Sequence, residues 1–152
     1  MKTPTLTTLT KSVLAFSVVA LSACGGDSAQ EFVGVWNESG TLTINVAGRT
    51  NSGPQQATTN IDLAMSPGEI FISGSCGLTA KVRGDTATIQ SGLSCTQNTS
   101  SGSVTMTYRS ATYTLNGDSI TYYASGDLLV VAGGQSVAGN FSYNAMLRKV
   151  AK

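Results

Sequence analysis

Residues 78–90 read Leu78-Thr79-Ala80-Lys81-Val82-Arg83-Gly84-Asp85-Thr86-Ala87-Thr88-Ile89-Gln90. Apolar and polar residues alternate on both sides of a central Gly-Asp pair, which is the pattern of two half-buried strands joined by a tight turn. A two-residue turn pairs Arg83 with Thr86, and the same register brings Val82 opposite Ala87. Because the apolar residues then meet on one face, this stretch predicts an antiparallel β-hairpin.

The same alternation continues through most of the chain outside this hairpin. It places Leu42, Ile44 and Val46 on one strand face, and it recurs along residues 137–147. The dipeptides and tripeptides that predict tight turns between strands are Ser66-Pro67-Gly68, Asn116-Gly117, Ser125-Gly126 and Gly133-Gly134. Residues 48–54 are predicted to form a loop. The apolar phase reverses between Arg109 and Ala111, which predicts a β-bulge or a break at that point.

These strands predict an all-β domain, a single antiparallel meander of about eight strands. An open sheet of this kind must protect its edges, and closure into a small barrel removes them. A β-sandwich is the alternative architecture. The interior of an eight-stranded barrel is either filled by side chains or holds one small ligand, and the sequence leaves both possibilities open.

The N-terminal 23 residues are typical of an export signal. A basic segment precedes an apolar run at residues 13–21, which is shorter than the roughly 20 residues that a membrane-spanning helix needs. Leu21-Ser22-Ala23-Cys24 then resembles the lipobox of bacterial lipoproteins. The resemblance implies a lipoprotein signal peptide at residues 1–23, cleavage before Cys24 and acylation of Cys24, so the predicted partner of the N-terminus is a membrane.

Gly25, not Asp, follows this cysteine, and by the sorting rule of such lipoproteins the resemblance implies the outer membrane of the cell envelope. Residues 24–30 are small and polar and are predicted to form a flexible tether. Residues 31–152 are predicted to form the barrel domain. The alternative is an ordinary signal peptide cut near residues 20–22, which leaves Cys24 as a free thiol.

The cysteine count agrees with an acylated N-terminus. The chain has 3 cysteines, and a lipid on Cys24 leaves Cys76 and Cys95 as a pair. An exported protein resides in an oxidising compartment, and a bulge at Gly77 or Gly92 would bring the two thiols within reach. We therefore predict a Cys76–Cys95 disulfide, with two buried free thiols as the alternative.

Phe32-Val33-Gly34-Val35-Trp36 resembles the Gly-x-Trp opening of lipocalin-like barrels. The resemblance implies that Trp36 closes the barrel floor and that Arg148, near the end of the last strand, packs over the indole ring. The middle Thr-Asp-Tyr element of that family is absent from this chain. Trp36 as a core residue without a ligand role is the alternative interpretation.

Composition argues against several classes of function. The chain contains no histidine, and 9 Lys and Arg residues nearly balance 8 Asp and Glu residues, so neither a histidine triad nor a nucleic-acid interface is predicted. The carboxylates are predicted to lie singly in turns and on polar strand faces. We therefore predict no catalytic site, no metal site and no cofactor.

Three functions remain open from the sequence. The aromatic residues of the late strands favour a cup for a small hydrophobic ligand: Tyr108, Tyr113, Tyr122, Phe141 and Tyr143. A small exported barrel with a tether and a disulfide also resembles metalloprotease-inhibitor barrels, whose N-terminal segment enters the protease cleft. The third possibility is a structural surface lipoprotein that binds no ligand.

Overall fold

The computed structural model describes residues 28–74 and 76–151. The predicted signal peptide and Cys24 lie outside these residues. Within them, a short helix, α1 (Ser28–Phe32), precedes nine β-strands. The strands are β1 (Gly34–Val46), β2 (Arg49–Leu63), β3 (Glu69–Ser73), β4 (Leu78–Arg83), β5 (Thr86–Ile89), β6 (Ser94–Thr99), β7 (Gly102–Asn116), β8 (Ser119–Ala132) and β9 (Gln135–Lys149). No helix in the described part of the chain is long and apolar enough to cross a membrane.

All nine strands belong to one antiparallel sheet, in the order β5-β4-β3-β2-β1-β9-β8-β7-β6. An additional pairing of β5 with β7, with Ala87 opposite Tyr113, closes eight of these strands into a ring of hydrogen bonds. β6 pairs with the N-terminal half of β7, beyond the point of closure. The prediction of an all-β antiparallel meander is confirmed, and the sheet is barrel-like rather than split into the two layers of a sandwich.

The hairpin predicted from residues 78–90 has the expected register. Arg83 lies opposite Thr86 and Val82 lies opposite Ala87 across β4 and β5. Val82 and Ala87 are buried, and Gly84 adopts a φ of 60° in the turn, a conformation that costs glycine little.

Helix α1 begins inside the segment that we predicted to be a flexible tether. Ala29 and Phe32 are fully buried in the core, because residues three positions apart lie on the same side of a helical turn. Residues 28–30, which we assigned to the tether, therefore belong to a helix that packs on the sheet.

The loop predicted at residues 48–54 is wrong. β1 and β2 form a long hairpin in which Val46 lies opposite Arg49, and the turn consists of Ala47 and Gly48 alone. Ala47 has a φ of 50° and Gly48 a φ of 74°, which are the positive values that a two-residue hairpin turn requires. Residues 49–54 lie where the sheet is exposed on both faces, so their side chains are polar. They therefore lack the alternation of apolar and polar residues from which a strand is predicted.

The turn predicted at Ser125-Gly126 is also wrong, since β8 runs through it without interruption. Gly126 lies opposite Tyr108, beside a register shift between Tyr108 and Ser110 that confirms the predicted bulge. A Cβ atom on Gly126 would overlap the carbonyl oxygen of Thr107 and approach the Phe141 ring. The glycine therefore permits a close approach of strands at the bulge instead of a change of chain direction.

Unequal strand lengths give the ring two different ends. β3, β4 and β5 contain 5, 6 and 4 residues, whereas β1, β2, β7, β8 and β9 contain 13 to 15. The end that carries α1 and the turns at residues 84–85 and 117–118 is called the floor. At the opposite end, called the rim, the short strands stop first and the long strands continue beyond them.

Candidate ligand cavity

The floor is closed by helix α1 and by Trp36. Trp36 and Phe32 are both fully buried, and the indole Nε1–H of Trp36 donates a hydrogen bond of 2.9 Å to the carbonyl oxygen of Phe32. This bond satisfies the one polar atom of the tryptophan side chain, so the ring can be buried without an unpaired donor. The structure thus places Trp36 at the closed end of the ring.

The cation above Trp36 is Lys149 and not the predicted Arg148. The Nζ atom of Lys149 lies 5.1 Å from the centre of the Trp36 ring. Lys149 is the register partner of Trp36, whereas Arg148 is the partner of Asn37 and is exposed. Side chains alternate between the two faces of a strand, and Leu147 of β9 faces inward. Residue 149 therefore faces inward as well, whereas Arg148 lies on the outer face.

A cavity of about 380 Å³ lies inside the ring, between the floor and the rim. Aromatic, aliphatic and small polar side chains line it, and it lies within the size range of small-molecule sites in proteins. Its lining includes Glu38, Thr59, Leu78, Met106, Tyr122 and Tyr143.

The predicted aromatic residues of the late strands come together at this cavity. Tyr113 and Tyr122 stack with ring centres 4.1 Å apart, and Tyr143 meets Tyr122 edge to face at 5.5 Å. Tyr108 contacts Phe141 in the same edge-to-face manner at 5.6 Å. Tyr113 and Tyr122 are direct cross-strand partners on β7 and β8, so the sheet register itself produces the stack.

Glu38 faces the cavity from β1, and the sequence analysis missed it. The Oγ1 hydroxyl of Thr59 donates a hydrogen bond of 2.6 Å to Oε2 of Glu38. Tyr143 lies near the same carboxylate, whose proximity contributes to the raised pKa of Tyr143. We predicted that carboxylates lie in turns and on polar faces, which is wrong for this residue. The alternation along β1 could have predicted this position, because Trp36, Glu38 and Leu42 lie on the same face of the strand.

The tyrosine hydroxyls are held in their neutral form. Burial raises the pKa of Tyr113, Tyr122 and Tyr143 well above the ordinary tyrosine value, and it raises that of Tyr108 to a smaller extent. The negative charge of Glu38 adds to the shift of all four groups, because a nearby anion disfavours a phenolate. The cavity therefore presents phenol hydroxyl groups and one carboxylate.

Cys76 and Cys95 meet at the rim, where both line the cavity. Their Cα atoms are 5.4 Å apart, which is within the range of disulfide-bonded cysteines. Gly77 and Gly92, the glycines expected to allow this approach, have φ values of 53° and 88°. The cysteine pair links the loop between β3 and β4 to the start of β6.

The cysteines and carboxylates of the described ranges do not cluster as a metal site would require. No group of three or more histidine, cysteine or carboxylate side chains in residues 28–74 and 76–151 is placed to hold a metal ion. The ion pair that is observed there joins Arg109 to Asp127 on the exposed outer face, beside the bulge.

Comparison with known proteins gives no family for this chain. No protein-family model matches it, and neither a curated protein nor a solved structure is similar to it at a significant level.

Proposed function

We propose that this protein is a lipid-anchored lipoprotein of the cell envelope whose barrel-like domain binds a small hydrophobic ligand. The observation that carries the proposal is the cavity of about 380 Å³ above the Trp36 floor. A purely structural lipoprotein has no need of an interior cavity, and a packed core would be more stable without one. The cavity therefore favours binding over a structural role.

The anchor is the second part of the proposal. It rests on the lipobox at Leu21-Ser22-Ala23-Cys24. Acylation of Cys24 would place the domain at a membrane surface, with a few residues between the lipid and helix α1. A ligand with an apolar body would be abundant at such a surface.

The protease-inhibitor alternative receives less support. That mechanism needs an N-terminal segment able to enter a cleft, whereas Ala29 and Phe32 are fully buried in the core. An inhibition assay with excess domain against a metalloprotease separates the two functions, because a ligand-binding domain leaves the protease fully active.

Calorimetric titration of the mature chain, residues 24–152, with decanol tests the binding proposal. We expect saturable binding that Met106→Trp weakens strongly, because Met106 lines the cavity and the larger side chain would fill it. Leu129→Trp is the matched control, since Leu129 is 42% exposed and alternates with the inward-facing residues of β8. The absence of saturable binding to the unsubstituted chain would overturn the proposal.

A further inference from the structure

No salt bridge among the described residues pairs the Glu38 carboxylate in the cavity with a cation. Among the described residues that line it, Glu38 is the only carboxylate, and none is a lysine or an arginine. The hydrogen bond that Glu38 accepts comes from a neutral hydroxyl group, that of Thr59. A partly buried carboxylate without a cationic partner is costly, unless another group supplies the opposite charge.

Aromatic rings surround this carboxylate on the side of the late strands. Tyr122 and Tyr143 line the same cavity as Glu38, and their rings are in edge-to-face contact with each other. Aromatic faces attract cations within about 6 Å of the ring centre, and this attraction adds to that of a carboxylate. Because the tyrosines are neutral, Glu38 carries the negative charge of the site. One positive charge on a ligand would balance it.

Aliphatic side chains line part of the site toward the rim. Leu42, Leu78 and Met106 line the cavity away from the floor. An occupant would therefore contact a carboxylate and phenol rings at one end and aliphatic side chains at the other. This arrangement matches a molecule with a protonated amino group at one end and a hydrocarbon body at the other.

We propose that the ligand is an apolar amine, whose ammonium group binds Glu38 beside the rings of Tyr122 and Tyr143. The inference rests on the proposed ligand-binding function and adds the chemical class of the ligand. The Thr59 hydroxyl orients the carboxylate, and the ammonium group takes acceptor positions that remain on it.

Three probes that share one hydrocarbon tail test this inference: decylamine, decanol and decanoate. The measurement is calorimetric titration at neutral pH of the mature chain, of Glu38→Gln and of Glu69→Gln. We expect decylamine to bind about tenfold or more tighter than decanol, and decanoate to bind weakest. Glu38→Gln removes the preference for the amine, so that decylamine and decanol then bind with similar affinity. Glu69→Gln, which removes the same charge from the outer face of β3, leaves the preference intact.

The outcomes separate the two proposals. Equal affinity for decylamine and decanol in the unsubstituted chain overturns the amine assignment and leaves the binding function standing. A preference for the amine that persists in Glu38→Gln also overturns it. If none of the three probes binds, the proposed function itself is wrong. If Glu38→Gln does not fold, the affinities of the three probes for the unsubstituted chain still test whether the ligand is an amine.

Discussion

The indole N–H of Trp36 donates to the carbonyl oxygen of Phe32, at a distance of 2.9 Å, and so joins the first strand to the helix that precedes it. Both side chains are fully buried. We expect Phe32→Ala to lower the free energy of unfolding by about 3–5 kcal/mol, because it leaves a cavity beneath the indole ring. Denaturant unfolding measures the loss. Val35→Ala is the control, since Val35 is 43% exposed and its truncation should cost little.

Gly126 is predicted to be intolerant of any side chain. Gly126→Ala places a methyl group against the carbonyl oxygen of Thr107, which the backbone can relieve only by disturbing the bulge. The expected loss is about 1–3 kcal/mol of unfolding free energy. Gly53→Ala is the matched control, because a Cβ atom on Gly53 in β2 meets open space. Equal midpoints for the two variants would contradict this account of Gly126.

A covalent Cys76–Cys95 bond should contribute roughly 3 kcal/mol to stability, by restricting the unfolded chain. The two residues are 19 positions apart in the sequence. Unfolding in the presence and absence of a reducing agent gives the difference. Cys76→Ala should show the lower stability without any reductant and should no longer respond to it. Detection of two free thiols in the exported protein would contradict the predicted bond.

The buried tyrosines predict a loss of stability in alkali. Their pKa values are raised in the folded state, so the folded protein retains these protons at a pH where the unfolded chain loses them. Stability is therefore complete below the ordinary tyrosine pKa of about 10 and falls as the pH rises above it. Urea midpoints measured across this range test the direction. Tyr122→Phe keeps the ring and removes one ionisable hydroxyl, so its midpoint should fall less steeply.

Acylation of Cys24 predicts that a fatty-acid analogue supplied to the producing cells labels the protein. Cys24→Ala should lose the label and remain uncleaved, because the lipobox requires the thiol. Cys76→Ala is the control for any label that depends on another cysteine. Label that persists on Cys24→Ala would show that the lipid has been placed on the wrong residue.

Local alternation was sufficient to predict most of the strands. The β4–β5 register, the bulge near Tyr108 and the long last strand all follow from the period of two, because one face of each is buried. Prediction from the sequence was wrong where a residue type is required by a contact with a distant part of the chain. Gly126 has the appearance of a turn residue, yet Thr107, which is distant in the sequence, requires the glycine.

The candidate site was predicted only in part for a related reason. The aromatic residues were found because they are large and lie on the apolar faces of their strands. Glu38 was grouped with the carboxylates of turns and polar faces, and the lipocalin resemblance pointed to Arg148 instead of Lys149. Glu38 and Lys149 nevertheless share the inward-facing phase of their strands. The pairing of Trp36 with Lys149 depends on the register between β1 and β9, which are more than a hundred residues apart and have no local signal that fixes it.

Because β3, β4 and β5 end below the rim, the route by which a ligand would enter the cavity is affected. On that side β2 and β6 are not paired with each other, and residues from both of them line the cavity. A molecule passing between these two strands would break no hydrogen bond of the closed ring. Binding by this route would then require no separation of paired strands.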